Sequence, residues 1–406
     1  MDALITAAGR ALTLGDPLGA LNRVSLREDP PALALRGVAM AQLGEFATAR
    51  SLLRRAGRVF GAREPVARAR CLVAAAEIAL VLRDLNEAMD ALDRAQPALA
   101  RHGDRVNAAH AGYLQARCLL VIGRLDEAEA RLSRLDIQAL PLASRAGALL
   151  VAAGIAMRRI KAKPARTALD RAATAAHEAG IPALVAEVEV ARRALHAPGA
   201  MLSMQGESRP LQLETIEALI ASNALIVDAL RHRLRLGDQV VSLAGRPTLF
   251  ALLRALAEAW PGDAARETLL RKAFDARFVD ESHRARLRVE IGRLRSEIGP
   301  LAAVVATERG FILQPLGTEG VAILAPLHEQ EHADVLALLA DGEAWSSSAL
   351  ALALDVSPRT VLRAIETLAV AGKIDALGHG RARRWILRQA PGFPTGLLLS
   401  TLLPAR

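Results

Sequence analysis

The 406-residue sequence predicts a mainly α chain: helical hairpins repeated over the first half, then two smaller α+β modules. Three observations carry this. Over the first 195 positions apolar residues recur at three and four, and strand-forming residues are sparse. Small alanines at 20, 49, 88, 128 and 165 recur at intervals of 29, 39, 40 and 37. Beyond residue 222, a group of helices followed by an alternating hairpin pattern occurs twice.

Each copy in the first half reads as helix, tight turn, helix. Leu14-Gly15-Asp16, Leu43-Gly44-Glu45-Phe46, Arg83-Asp84-Leu85 and Gly123-Arg124-Leu125 supply the turns, and a degenerate copy ends in Pro164-Ala165. The alanine lets the second helix approach the first. Four positions on, Val24, Leu53, Leu92, Leu132 and Leu169 fill the groove between them. In the best copy Leu33, Gly37, Met40, Gly44, Phe46, Ala49, Leu53 and Ala56 stand in register, and residues 1–195 on this pattern resemble a tetratricopeptide repeat (TPR) array. Leu33 and Met40 replace that family's Trp and Tyr, and the period runs long in later copies. The resemblance implies a concave surface for a protein or peptide; a packing or homodimerisation platform is the equal alternative.

Residues 196–222 break the pattern. His196–Pro210 holds two Pro and two Gly without an apolar period and reads as a linker. From 223 to 316 the elements change. Leu234-Arg235-Leu236, Gly237-Asp238 and Val240–Leu243 form a hairpin signal. Pro247 opens a helix that runs to Trp260, a second covers 265–274, and a third covers Ser282–Ile298. Val304–Gln314 then alternates around Arg309-Gly310, with Gly310 read as the residue that permits the turn.

This ordered set resembles the OmpR/PhoB-type winged helix-turn-helix DNA-binding domain. The carriers are Gly245-Arg246-Pro247, Leu249, Leu252-Leu253, Arg266-Glu267, Leu269-Leu270, Val289–Arg295 and Thr307–Leu313, over about a quarter of the chain. The family's receiver domain is replaced by helical repeats, so no phosphorylation switch is carried over. The resemblance implies a duplex-DNA reader. It also implies a loop at 275–281, with Phe278, that touches RNA polymerase or a sigma factor; a loop aromatic more commonly folds back on the core.

The third helix has a geometry that suits this. Leu287, Ile291, Leu294 and Ile298 share one stripe, and Ala285, Val289, Gly292 and Ser296, all small or slim, lie opposite. Arg286 and Arg293 flank one side, Arg288 and Arg295 the other, with Arg284 near the start. Small outward residues let a helix axis come close to base edges in a major groove. Arg309 at the wing tip, with Thr307 beside it, suits a minor groove or a phosphate. Because Arg outnumbers Lys 48 to 4, a solvated arginine-rich helix is the plain alternative.

A second module spans 326–390. Its predicted helices cover 329–339, Ser347 or Ser348 to Leu354, and Pro358–Ala371 after a Ser357 N-cap. A hairpin follows at Ile374–Leu387, with Arg381, Arg383 and Arg384 near its tip. It resembles the winged helix of MarR- or DeoR-type regulators. That implies DNA contact through Ser357, Arg359, Thr360, Arg363 and Thr367 and through the hairpin's Arg381, Arg383 and Arg384, with protein contact as the alternative. Residues 316–326 read as a spacer and 391–406 as a tail. The expected fold is thus a TPR-like hairpin array followed by two α+β winged helix-turn-helix domains.

Composition narrows the rest. A 52% hydrophobic, 23% charged chain is globular rather than disordered. Two cysteines, Cys71 and Cys118, read as core residues, exclude a disulfide framework and fit a reducing compartment. No secretory pattern opens the sequence. Uncharged stretches reach only about 15 residues where a membrane span needs about 20. A cytoplasmic location is therefore expected. His328-Glu329-Gln330-Glu331-His332 matches a zinc-protease pattern but has no third ligand, so neither metal, cofactor nor enzymatic activity is expected. Aromatics at 3% disfavour a single-strand binder.

The net charge of +9 lies mostly in residues 1–200, which hold 28 basic and 20 acidic residues. The expected function is a sequence-specific duplex-DNA-binding transcriptional regulator; an adaptor whose winged helices contact proteins is the alternative.

Overall fold

The computed structural model describes residues 2–82, 84–243, 246–274, 281–318, 320–326, 332–339, 345–354, 356–377, 380 and 383–387. It is mainly helical, with two compact units. One comprises 1–159, 164–193 and the chain from 334 onward; the other comprises 160–163 and 194–333. No described helix is long and apolar enough to cross a membrane.

The first unit opens with five helical hairpins: α1 Ala3–Thr13 with α2 Pro17–Val24, α3 Pro30–Gln42 with α4 Phe46–Phe60, α5 Pro65–Val81 with α6 Leu85–Arg101, α7 Arg105–Ile122 with α8 Leu125–Ser133, and α9 Leu142–Arg158 with α10 Ala162–Ala179. A further helix, α11, spans Pro182–His196. Local chemistry starts the helices. Asp16, Asp29, Asp84 and Asp104 each accept a backbone N–H of the first turn, worth about 1 kcal/mol apiece. Pro17, Pro30 and Pro65 stand at first-turn positions where no donor is lost. Gly44 (φ 84°) and Gly123 (φ 93°) turn the chain at two hairpin corners.

All five anchoring alanines are fully buried, and Val24, Leu53, Leu92, Leu132 and Leu169 four positions on are buried as well. Gly37 shows why small residues belong here: a Cβ on it would meet Leu53 Cγ at 2.8 Å and the Ala49 carbonyl at 3.2 Å. Cys71 and Cys118 are buried and not joined in a disulfide, as expected of core residues.

The segment from 334 joins this unit. It forms α16 Ala333–Leu339, α17 Ser347–Leu354, α18 Pro358–Val370 and a hairpin of β10 Ile374–Leu377 with β11 Arg384–Leu387. Trp345 and Trp385 exchange backbone hydrogen bonds of 2.9 and 2.7 Å, adding a third short edge. The expected separate domain at 326–390 is corrected here. Trp345, Leu350 and Ile365 share one continuous apolar core with Leu80, Cys118 and Leu119 of the array. Gly123 runs so close to α17 that a Cβ would lie 3.7 Å from the Ala353 carbonyl oxygen.

The second unit corrects two other expectations. Residues 196–222 are not a linker: β1 Pro198–Met204 pairs with β2 Glu207–Gln212, and α12 Leu213–Ala221 follows. Gln205 and Gly206, both at positive φ, make the two-residue turn. Pro198 opens its strand and Pro210 lies on the sheet's edge, the two places where a strand tolerates the missing donor. Ala200, Leu202 and Leu211 turn inward.

Nor is 316–326 all spacer, because Val321–Ala325 forms β9, buried along its whole length. It sits in a six-stranded sheet ordered β2-β1-β9-β3-β4-β5, antiparallel to β1 and parallel to β3. The other strands are β3 Leu225–Asp228, β4 Arg233–Leu236 and β5 Gln239–Ser242, with Gly237-Asp238 turning the expected hairpin.

The three expected helices follow α12 in this unit: α13 Pro247–Ala259, α14 Arg266–Phe274 and α15 Glu281–Ile298. A smaller sheet completes it: β7 Ala302–Ala306 and β8 Gly310–Pro315 form the expected hairpin, joined by β6 Ala264–Ala265.

Candidate nucleic-acid interface

The site rests on α15, whose two faces separate as its sequence requires. Leu287, Ile291, Leu294 and Ile298 are buried against α13 and the smaller sheet. Opposite them Ala285, Val289, Gly292 and Ser296 are exposed, and Val289, at 54%, is among the more exposed large apolar residues. A Cβ on Gly292 would meet nothing within 4 Å. The outward face is therefore a low strip along the helix.

The arginines around that strip differ in how they are held. Arg288 is exposed, with no hydrogen bond or ion pair among the described residues. Arg286 lies over the Phe274 ring, 4.6 Å from its centroid. Arg293 pairs with Glu290 at 2.8 Å but is itself largely exposed. Arg295 is turned sideways: its Nε donates to the Val304 carbonyl at 2.7 Å, and its guanidinium lies 5.9 Å from the Phe311 ring centre. It braces the hairpin rather than extending from it. Arg284 is exposed on the first turns.

Beside α15 stands the β7–β8 hairpin. Arg309 at its tip is exposed, and its side chain makes no hydrogen bond or ion pair among the described residues. Thr307 points inward instead. Its hydroxyl donates to Asp263 at 2.6 Å and accepts from the Gly310 N–H at 2.9 Å, so it fixes the turn and is not presented outward. Arg266 donates to the carbonyls of Glu308 and Thr307 and clamps the same turn from below.

Gly310 corrects a further expectation. Its φ is ordinary, but a Cβ there would lie 1.8 Å from the Ala264 carbonyl oxygen. Glycine is needed for the approach of β6 to β8, not for the turn.

A cleft of about 570 Å³ opens beside α15, between Arg246, Thr248, Glu290, Arg293 and Glu297. Arg246 and Glu297 form an ion pair across it, so its charges balance.

On the C-terminal segment, Arg359, Thr360, Arg363 and Thr367 are exposed on α18 over a buried Val361, Ile365 and Leu368. Ser357 caps the helix, accepting from the Thr360 N–H at 3.2 Å and bonding the Thr360 hydroxyl at 2.8 Å. Thr367 donates to the Arg363 carbonyl of its own helix at 3.0 Å.

Of the hairpin arginines expected at a DNA-contacting tip, Arg384 is held against the array instead. Arg384 donates Nε to the Leu82 carbonyl of the array at 2.6 Å, and burial there lowers its pKa. Arg383 lies 4.5 Å from the Trp385 ring centre. Arg381, Phe278 with its loop, Gly245, the four residues 328–331 and the tail 391–406 lie outside the described residues.

Two features of the first unit escaped the sequence reading. Ser144 Oγ, His110 and Glu77 stand in a hydrogen-bonded series, 2.9 and 3.1 Å apart. The order is that of a hydrolase triad, yet all three are buried and line neither cavity described here. Helix-face spacing across three separate helices would have been the only signal. The second feature is a groove of about 1080 Å³ between α4, α5 and α6. Its signal was legible: Arg50, Arg54 and Arg58 are four apart.

Among the described residues no group of three or more His, Cys, Asp or Glu is placed to hold a metal ion. No protein-family model, curated protein or solved structure matches the chain.

Proposed function

We propose that the chain is a sequence-specific duplex-DNA-binding transcriptional regulator whose helical array binds a partner. On this reading residues 223–316 act as an OmpR/PhoB-type winged helix, and the array is TPR-like. One observation carries it: the low outward strip of α15 at Ala285, Val289, Gly292 and Ser296, rimmed by Arg286, Arg288 and Arg293, with the Arg309 hairpin beside it. A strip without bulk lets a helix axis sink towards base edges, and rim arginines then reach guanine edges or phosphates. Arg309 would reach the neighbouring backbone or minor groove. Arg295 and Thr307 would serve by holding the hairpin at a fixed angle to α15.

The C-terminal segment receives a divided role. Its β10–β11 hairpin faces the array through Arg384, which favours protein contact for that half. Its α18 face, with Arg359 and Arg363, remains available for DNA. A cytoplasmic location, contact with RNA polymerase or a sigma factor, and the absence of catalysis all belong to this proposal.

The test is duplex binding against salt concentration, using a pool of random duplexes. Each lost phosphate contact should flatten the log–log slope by about one. Arg288→Ala with Arg309→Ala is expected to lower both affinity and slope. An unchanged slope and affinity would sink the reading.

A further inference from the structure

The excess positive charge of the array has a definite address. The groove between α4 and α6 carries five arginines, Arg50, Arg54, Arg58, Arg68 and Arg94, against one acid, Glu87. Three of the arginines follow one another at four-residue spacing along α4, so they spread over about 12 Å of helix axis. The floor is apolar, made by Leu53, Leu72 and Ala75.

Glu87 displays the chemistry this groove takes. One carboxylate oxygen pairs with Arg50 and the other with Arg54, the latter at 2.6 Å. Two guanidinium groups on neighbouring turns thus close on a single carboxylate. Further along, Arg58 and Arg68 are exposed, and their side chains make no ion pair or hydrogen bond among the described residues. The groove holds its own carboxylate at one end and leaves cationic places vacant at the other.

We propose that this groove docks an acidic peptide segment of a partner protein. An extended peptide covers about 12 Å in roughly four residues, presenting alternate side chains to the Arg row and to the apolar floor. A single small anion would use one arginine pair and leave the row and the floor idle. A nucleic-acid backbone would bury nothing apolar on Leu72 and Ala75, and the lining offers no aromatic side chain for a base to stack on. The proposal rests on the array being the partner-binding half of the molecule, and not on the assignment of α15.

The experiment uses the full chain and a fluorescein-labelled octaglutamate, with a glycine–serine peptide of equal length as control. Saturable binding of octaglutamate alone is expected. Arg58→Glu with Arg68→Glu, both on exposed side chains, should weaken it at least tenfold while the melting temperature and duplex affinity hold. Glu87→Gln, which releases Arg50 and Arg54, should tighten it several-fold.

Absence of octaglutamate binding overturns the proposal, even where duplex binding persists. Octaglutamate binding that survives the double charge reversal overturns the proposal as well. Duplex affinity that falls together with peptide affinity makes the groove a nucleic-acid site and overturns the proposal too.

Discussion

Arg295 Nε donates to the Val304 carbonyl across 2.7 Å, tying α15 to the first strand of the hairpin that stands beside it. Its guanidinium also packs near the Phe311 ring, where Arg266 approaches to 5.6 Å. Arg295→Ala should therefore cost about 1 kcal/mol of stability through the lost hydrogen bond. Arg288→Ala, which removes no side-chain hydrogen bond or ion pair among the described residues, should cost nothing measurable in urea unfolding. In duplex binding the order should reverse or equalise, because Arg288 is presented directly and Arg295 only positions the hairpin. If Arg295→Ala left stability intact, the bracing role would be wrong.

Two glycines of this unit should respond oppositely to the same methyl group. Gly310→Ala drives a Cβ into the Ala264 carbonyl and should destabilise by about 2–3 kcal/mol, as overpacking does. Gly292→Ala meets open space in an exposed helix interior and should stabilise by about 0.5–1 kcal/mol. A longer side chain, Gly292→Met, would stand in the strip and keep the axis of α15 away from base edges. It should lower duplex affinity about tenfold with no loss of stability. Thermal melts and duplex titrations on the three variants decide the matter; a stable Gly310→Ala protein would contradict the packing of β6 on β8.

The buried Glu77 makes stability depend on pH. Burial raises its carboxyl pKa, and the neighbouring His110 and Arg117 offset this only in part. Its Oε2 accepts no hydrogen bond. The folded state thus binds this proton more tightly than the unfolded chain does. The stabilisation is complete below the ordinary carboxylate value and is lost as pH rises through the raised folded value. Glu77→Gln should flatten the fall in stability above about pH 4.5. His110→Ala, which strips both Glu77 and Ser144 of a partner, should cost about 1–3 kcal/mol. Urea unfolding from pH 4 to pH 8 measures both; a wild-type profile parallel to that of Glu77→Gln would refute the assignment.

What could be read from the sequence follows the range of the interactions. The repeat register, the faces of α15 and the Ser357 cap depend on residues within a turn or two, and they stand where periodicity puts them. Failures came where partners are distant. Pro198, Gly206 and Pro210 read as linker residues because the hairpin they belong to is anchored through β1 on β9, more than a hundred residues away. Val321–Ala325 gives no strand signal because five apolar residues between Gly/Pro-rich segments show no alternation when both faces are buried. Arg384 seemed a free tip residue because its acceptor, the Leu82 carbonyl, is 302 positions distant. In the interface, exposure was legible and pairing was not: Arg288 and Arg295 are equivalent by helical angle, yet only the fold shows that one of them is occupied.

The shared core gives the last prediction. Trp345 is fully buried at the centre of a cluster that holds Leu80 and Leu119 of the array together with Leu350 and Ile365 of the C-terminal segment. A boundary through that cluster would expose apolar surface on both sides, so the two parts should unfold as one cooperative unit. Trp345→Ala should cost about 3–5 kcal/mol, the usual loss for a large aromatic removed from a core. Protection of α7 amides from hydrogen exchange should drop along with that of α17, although α7 lies more than two hundred residues away in sequence. An isolated module would instead lose protection in α17 and α18 alone and leave α7 as it was. The Arg384 bond to Leu82 allows the same question to be asked gently: Arg384→Met keeps the packing of the stem but removes the donor. It should loosen the β10–β11 hairpin without opening α7, so a global loss of protection in that variant would show that the polar bond, rather than the apolar core, joins the two parts.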